Sequence, residues 1–120
     1  MSSLYENLAI YKQALDLVVY FEKIVRNFSR YHKYTVGTEL RNLSKEILKL
    51  IVKANSVKDR REMLLKIREK TEELKILIKV CKEIEAFSSF QSFEYAIRST
   101  VDIAKQNEGW LRSQNRGSVR

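Results

Sequence analysis

Apolar residues recur every three or four positions along four stretches of this chain, and this spacing constrains the fold more than any other feature. It gives each of four helices one apolar stripe. In chain order the stripes are Ile10, Ala14, Leu17, Phe21, Ile24 and Phe28; Leu40, Leu43, Ile47, Leu50, Ile51 and Ala54; Met63, Leu64, Ile67, Leu74, Ile78 and Cys81; and Phe93, Ala96, Ile97, Thr100, Ile103, Ala104 and Leu111. Facing one another, they predict an all-α, up-down-up-down antiparallel four-helix bundle, with residues 1–120 as a single domain.

Capping signals predict where the helices begin and end. We expect helices over about 4–28, 36–54, 59–85 and 89–111, followed by a frayed polar tail over 112–120. The start signals are Ser3 with Glu6, Thr35 with Glu39, Asp59 with Glu62, and Ser88 with Gln91. The lack of proline and the low count of three glycines agree with long, uninterrupted helices.

The remaining composition favours a cytoplasmic protein. The first residues, MSSLYENLAIYKQ, have neither the basic start nor the apolar run of a signal peptide, and no apolar stretch approaches membrane-spanning length. Cys81 is the only cysteine, which excludes an internal disulfide and suits a reducing compartment.

A second set of apolar positions lies off these stripes. On the first helix it is rotated by about 120° from the core stripe. The off-stripe residues are Leu4, Leu8, Tyr11, Leu15, Val18 and Val25, then Leu48 and Val52, then Leu65, Ile76 and Val80. They are either the edge of a wide core or an outer surface for self-association. We expect the second, with Leu8, Leu15, Val18, Leu48, Val52, Leu65, Ile76 and Val80 in the oligomer interface.

Positive charge is concentrated in one part of the chain. The net charge is +8, and residues 30–53 hold six basic and two acidic residues, which is half of that excess. Four of the basic residues recur every fourth position and form one ridge opposite the core stripe, with no glutamate to interrupt it. This basic ridge consists of Arg41, Lys45, Lys49 and Lys53. It is either a solvated helix face or a surface for a polyanion.

Aromatic residues adjoin the ridge at the junction of the first two helices. Tyr31 and Tyr34 alternate there with basic residues, of which Arg30 and Lys33 are the nearest. Cations suit phosphates, and flat side chains suit unpaired bases. The sequence therefore predicts that RNA or DNA binds to these four residues and to the basic ridge.

The residues that carry catalysis are few. His32 and Cys81 are the only histidine and cysteine, so no His/Cys metal cluster can form, and Cys81 falls on a core stripe. We expect no catalytic residue, no metal and no cofactor. One alternative stays open, because residues 26–32, RNFSRYH, resemble the Arg-polar-x4-His signature of HEPN-class ribonucleases, in which Arg26 and His32 would act on a scissile phosphate.

Two longer stretches carry a family resemblance that covers nearly the whole chain. YHKYTVGTELRNLSKEILKLIVKAN and NEGWLRSQNR resemble the four-helix-bundle family that includes the accessory variability determinant (Avd) of diversity-generating retroelements. The 23S rRNA intervening-sequence proteins belong to the same family. Ser29 stands where family members commonly have proline, and the helix ending Ala54-Asn55-Ser56-Val57 favours the Avd branch over the intervening-sequence branch.

The resemblance implies a homopentameric barrel of bundles without catalysis of its own. Such a protein would bind nucleic acid and the retroelement's reverse transcriptase, and would support mutagenic copying of an RNA template and retrohoming. An intervening-sequence protein would share the fold without that partner, and a neighbouring reverse transcriptase gene would separate the two. At the basic junction we expect Gly37 to let the second helix pack closely at its start.

Overall fold

Helices account for nearly all of the chain that the computed structural model describes, which is residues 8–119, with side chains described up to Gln114. The elements are α1 Ala9–Val25, α2 Arg30–Tyr34, α3 Val36–Ser56, α4 Arg61–Glu83 and α5 Phe90–Val119. The all-α fold with four long helices is confirmed, whereas the five-residue α2 was not expected. Within the described residues, no helix has both the length and the apolar character needed to cross a membrane.

The four long helices pack in a ring. α1 packs against α3 and α5, and α4 packs against the same two helices from the other side. Contacts along α1 and α5 show that these two run in opposite directions. Gln13 of α1 donates a hydrogen bond to Asp102 of α5. The ring of Tyr20, seven residues later on α1, contacts the ring of Tyr95, which is seven residues earlier on α5. The short connections force the same antiparallel arrangement on consecutive helices, which gives a four-helix bundle.

The core follows the predicted stripes. Every residue of the four stripes is either buried or half-buried. Two residues assigned to the outer set, Val18 and Val25, are also buried, at 9% and 0% exposure. Val18 was expected in an oligomer interface, and this expectation is wrong because the side chain lies inside its own bundle.

One buried polar residue sets the register between α4 and α5. Asn107 is fully buried, and its Nδ2 donates to the backbone oxygen of Leu64 at 2.9 Å. Nearby, Arg68 makes two hydrogen bonds of 2.8 Å to the carboxylate of Glu108. A slip of α5 by one residue would break all three bonds and leave a polar amide buried without a partner, which is costly.

The helix starts differ in detail from the capping signals. Ser3 and Glu6 lie outside the described residues. Thr35 does not cap α3 with its side chain, because its hydroxyl donates to the backbone oxygen of Tyr31 at 2.7 Å. Glu39 does lie in the first turn of α3, where the helix dipole favours a negative charge.

The later boundaries shift by one to several residues. α4 begins at Arg61, where Asp59 accepts a hydrogen bond from the backbone N–H, and it ends at Glu83. Ser89 rather than Ser88 accepts from a backbone N–H at the start of α5. α5 then continues to Val119, so the expected helix end near residue 111 is wrong.

Gly37 lies where α3 meets α1. A Cβ built on it would be 2.6 Å from Cγ1 of the buried Val25, 3.0 Å from the backbone oxygen of His32 and 3.4 Å from Cδ2 of Phe28. Only a residue without a side chain fits such a gap, because the obstructing atoms are backbone or a stiff β-branched side chain. The expectation that Gly37 permits close packing is confirmed.

We predict that Gly37→Ala lowers the free energy of unfolding. Overpacking a buried site costs about 1–3 kcal/mol, which exceeds the helix propensity of up to about 1 kcal/mol that alanine gains over glycine. Gly109→Ala is the matched control, because the nearest atom to its added Cβ is Arg112 Nη2 at 3.7 Å. It should raise stability by about 0.5–1 kcal/mol. Urea denaturation followed by circular dichroism measures both, and equal effects of the two variants would contradict the steric account.

Candidate nucleic-acid interface

The basic ridge runs along the outside of α3. Lys45, Lys49 and Lys53 are exposed, and Arg41 is half-buried. At a helical rise of about 1.5 Å per residue, the ridge extends roughly 18 Å from Arg41 to Lys53. The core residues Leu40, Ile47 and Ile51 are fully buried, as expected for the opposite side of the same helix.

A glutamate from another helix interrupts the ridge. Nζ of Lys45 lies 2.9 Å from Oε2 of Glu22 on α1. The hydrogen bond from Lys45 lowers the pKa of Glu22 despite partial burial, and the charges of Lys45, Arg41 and Arg26 lower it further. The expectation of a ridge without an acidic neighbour is therefore wrong, because sequence spacing on α3 cannot reveal a contact from α1.

The far end of the ridge has no such neighbour. No salt bridge joins Lys49 or Lys53 to any residue with a described side chain. Glu46, the acidic residue on this part of α3, pairs instead with Lys70 of α4 at 3.7 Å. Two exposed lysine charges therefore remain available at the end of α3 away from Glu22.

The aromatic residues of the junction lie on α2. Ser29 caps this helix, and its hydroxyl accepts from the backbone N–H of His32. Tyr31 and Tyr34 are 74% and 67% exposed, and the cations beside them are the exposed Arg30 and the half-buried Lys33. The short helix thus presents two rings to solvent at the start of α3.

The ribonuclease signature is not assembled into a described contact. Arg26 Nε donates to the backbone oxygen of Glu22, whereas the ring of His32 lies edge-on to Tyr31 at 5.6 Å. No hydrogen bond or ring contact joins Arg26 to His32 in residues 8–114. Nδ1 of His32 is buried without a partner. The geometry gives no support to joint action on a phosphate.

Metal ligands are likewise dispersed. In the described part of the chain, no three residues among histidine, cysteine, aspartate and glutamate come close enough together to hold a metal ion. Cys81 is fully buried in the core, and burial, together with the nearby charge of Glu39, raises the pKa of its thiol to about 12. A thiol held protonated in this way is a poor nucleophile.

Of the expected outer apolar residues, Leu8, Leu48 and Leu65 pack against the bundle's own core, whereas Leu15 and Val52 form one outer strip and Ile76 and Val80 another. The contact between Glu22 and Lys45 aligns α1 with the antiparallel α3. Leu15 lies seven residues before Glu22, and Val52 lies seven residues after Lys45. Leu15 and Val52 are therefore at the same height along the α1–α3 face. Leu15 is 37% exposed, whereas Leu8, Leu48, Val52 and Leu65 are half-buried. On α4, Ile76 and Val80 are 59% and 43% exposed.

Sequence reasoning missed one further member of the α1–α3 strip. Val19 is 47% exposed on α1, four residues after Leu15. Its spacing from Leu15 was the signal that could have identified it, since residues four apart share a helix face.

A comparison with known proteins identifies one family. A family model described as bAvd-like matches residues 8–114. The match covers helices α1 to α4 and most of α5. No curated protein and no solved structure matches this chain.

We predict that native Cys81 resists thiol modification. With a pKa of about 12 and no exposed surface, its thiol should react with Ellman's reagent at pH 8 only as fast as the bundle opens. The matched control is Cys81→Ala/Ser113→Cys, in which a thiol stands at an exposed position of α5. Equally fast reaction of the two proteins would show that Cys81 is accessible.

Proposed function

The chain belongs to the bAvd-like family, and on that premise we propose that it is a non-catalytic accessory protein of a diversity-generating retroelement. In this role it binds RNA or DNA together with the element's reverse transcriptase, and supports mutagenic reverse transcription and retrohoming in the cytoplasm. It needs no cofactor, because it supplies surfaces rather than chemistry.

The observation that carries the nucleic-acid part of this proposal is the unpaired end of the basic ridge. Lys49 and Lys53 have no acidic partner within residues 8–114, so their charges need no rearrangement before they meet phosphates. Binding to a polyanion releases condensed counterions, which makes such cations effective. Lys45 contributes less, because Glu22 competes for it at 2.9 Å.

The exposed rings of α2 support single-stranded or structured RNA over a plain duplex. Tyr31 and Tyr34 can stack on unpaired bases, with Arg30 and Lys33 beside them for the phosphates. The strand would then run from α2 along α3 towards Lys53.

Two separate apolar strips support self-association into a closed ring. A twofold dimer uses the same patch on both copies, whereas a head-to-tail ring needs two different patches on each copy. The α1–α3 strip around Leu15 and Val52 and the α4 strip of Ile76 and Val80 supply two such patches. We propose a homopentamer, and the number five rests on the family resemblance.

The first test is a salt titration of RNA affinity. Lys49→Gln/Lys53→Gln should weaken binding to all sequences about equally and reduce the slope of log affinity against log salt by about two units, one per lysine. Tyr34→Ala should cost about 1–3 kcal/mol per stacked base with little change in slope. Fluorescence anisotropy with a labelled single-stranded RNA measures both quantities.

Glu22→Gln provides a control of opposite sign. It removes the carboxylate that holds Lys45, so affinity and salt slope should both rise, while the fold persists because an exposed ion pair contributes only about 0–1 kcal/mol. Lys79→Gln, an exposed lysine on α4, should leave both quantities nearly unchanged. Wild-type affinity and slope in the double lysine variant would show that the ridge is a solvated face.

The second test measures assembly by light scattering at several concentrations. The wild type should scatter as a pentamer, and Leu15→Glu or Ile76→Glu should shift it towards smaller species, because a buried charge in an interface is costly. Helicity should be retained in both variants. Ser113→Glu, at an exposed position outside the strips, is the control, and a wild-type protein that stays monomeric at all concentrations would contradict the proposal.

A further inference from the structure

The seam between α1 and α5 is polar. Gln13 of α1 lies at its centre, where its Nε2 donates to Asp102 at 3.3 Å and its Oε1 accepts from Gln106 Nε2 at 2.7 Å. Farther along, Tyr20 and Tyr95 meet edge to face with ring centroids 4.2 Å apart. This contact between α1 and α5 is therefore made partly by amides, a carboxylate and two phenol rings, and not by apolar side chains alone.

A cleft of about 350 Å³ opens beside this seam. Its walls include Gln13, Glu94, Tyr95, Arg98, Ser99 and Asp102. The volume lies at the low end of the roughly 300–1,000 Å³ of small-molecule sites, so the cleft suits one side chain or a group of similar size.

The charge of the cleft is opposite to that of the whole protein. Asp102 and Glu94 contribute two carboxylates, and the one lining cation, Arg98, already pairs with Glu94 at 3.2 Å. Burial raises the pKa of Tyr95, and the negative charge of nearby Asp16 raises it further. The lining thus carries one net negative charge in a chain of net charge +8, which favours a cation over a phosphate at this place.

One wall of the cleft holds a hydrogen-bonding group without a partner. Ser99 is 5% exposed, and its Oγ is buried with no hydrogen bond. A buried hydroxyl left unpaired is costly, so a ligand that satisfied it would gain affinity. Ser99 also lines the cleft, so a ligand bound there would lie next to this hydroxyl, which must be uncovered before it can pair.

We propose that this α1–α5 cleft binds an arginine side chain presented by a partner protein. A guanidinium is planar and always charged, so it can form a forked pair with the carboxylate of Asp102 and stack on the partly exposed ring of Tyr95. One of its N–H groups can donate to Ser99 Oγ after a local movement uncovers this buried atom. A lysine ammonium has the charge without the planar fork, and an RNA strand has the wrong charge. The site is separate from the ridge on α3 and does not rest on the proposed function.

The test uses a blocked Gly-Arg-Gly tripeptide and the wild-type protein labelled for nuclear magnetic resonance. Saturable shifts should appear at the amides of Gln13, Ser99 and Asp102, with a Kd on the order of 1 mM for a single side chain. The citrulline peptide, which has the same shape without the charge, should bind at least about tenfold more weakly. The lysine peptide should fall between the two.

Variants decide whether the cleft is responsible. Asp102→Asn keeps an oxygen for Gln13 and should weaken the arginine peptide by about tenfold, whereas Ser99→Ala should weaken it by a smaller factor. Asp59→Asn, which removes an exposed carboxylate outside the cleft, is the matched control and should bind as the wild type does.

Three results would overturn the proposal. Equal binding of the arginine and citrulline peptides would remove the charge requirement, and unchanged binding by Asp102→Asn would place the peptide elsewhere. A change of oligomeric mass in Asp102→Asn, without any peptide response in the wild type, would mean that a second copy of the chain occupies the cleft. Loss of RNA binding in the lysine variants would leave the peptide result untouched, so the two proposals fail separately.

Discussion

The approach of α3 to α1 at Gly37 governs much of the molecule. Cγ1 of Val25 lies only 2.6 Å from where a Cβ on Gly37 would stand, so this side chain of α1 packs directly on the backbone of α3. Their separation and register then bring Glu22 onto Lys45 and place Leu15 level with Val52. The backbone oxygen of His32 also lies against this point of α3, 3.0 Å from the position of the missing Cβ. The close packing at this glycine thus lies on the same α1–α3 face as the basic ridge and one apolar strip.

Helical periodicity was sufficient to predict the core, and its failures have a physical cause. Each helix of a bundle faces two neighbours as well as the centre, so its buried arc is wider than one stripe. Val25 packs against Gly37 of α3, and Val18, two turns earlier on the same side of α1, is buried as well. The sequence alone could not separate this edge of the core from an outer row. Ile76 and Val80 lie beyond the buried arc of α4, and these two are indeed exposed.

The site was less predictable than the fold. The four-residue spacing of the ridge places its lysines on the outside of α3, but the contact with Glu22 depends on how α1 and α3 pack. The short α2 was missed because five residues cannot show a helical period, and only the capping position of Ser29 pointed to it. The acidic cleft combines residues of α1 and α5 that are about ninety positions apart, and no local pattern joins them.

The polar seam has a consequence for how the bundle opens and closes. Its hydrogen bonds join residues separated by 89 and 93 positions, whereas those between α4 and α5 span 40 and 43. Closing a longer loop costs more chain entropy, and the α1–α5 contact is the smallest of the four contacts between long helices. The α1–α5 seam should therefore be the last to form and the first to part in native fluctuations, while α3, α4 and α5 stay packed. Amide hydrogens of α1 would then exchange with solvent ahead of those in the middle of α4, and the cleft would widen without unfolding of the chain.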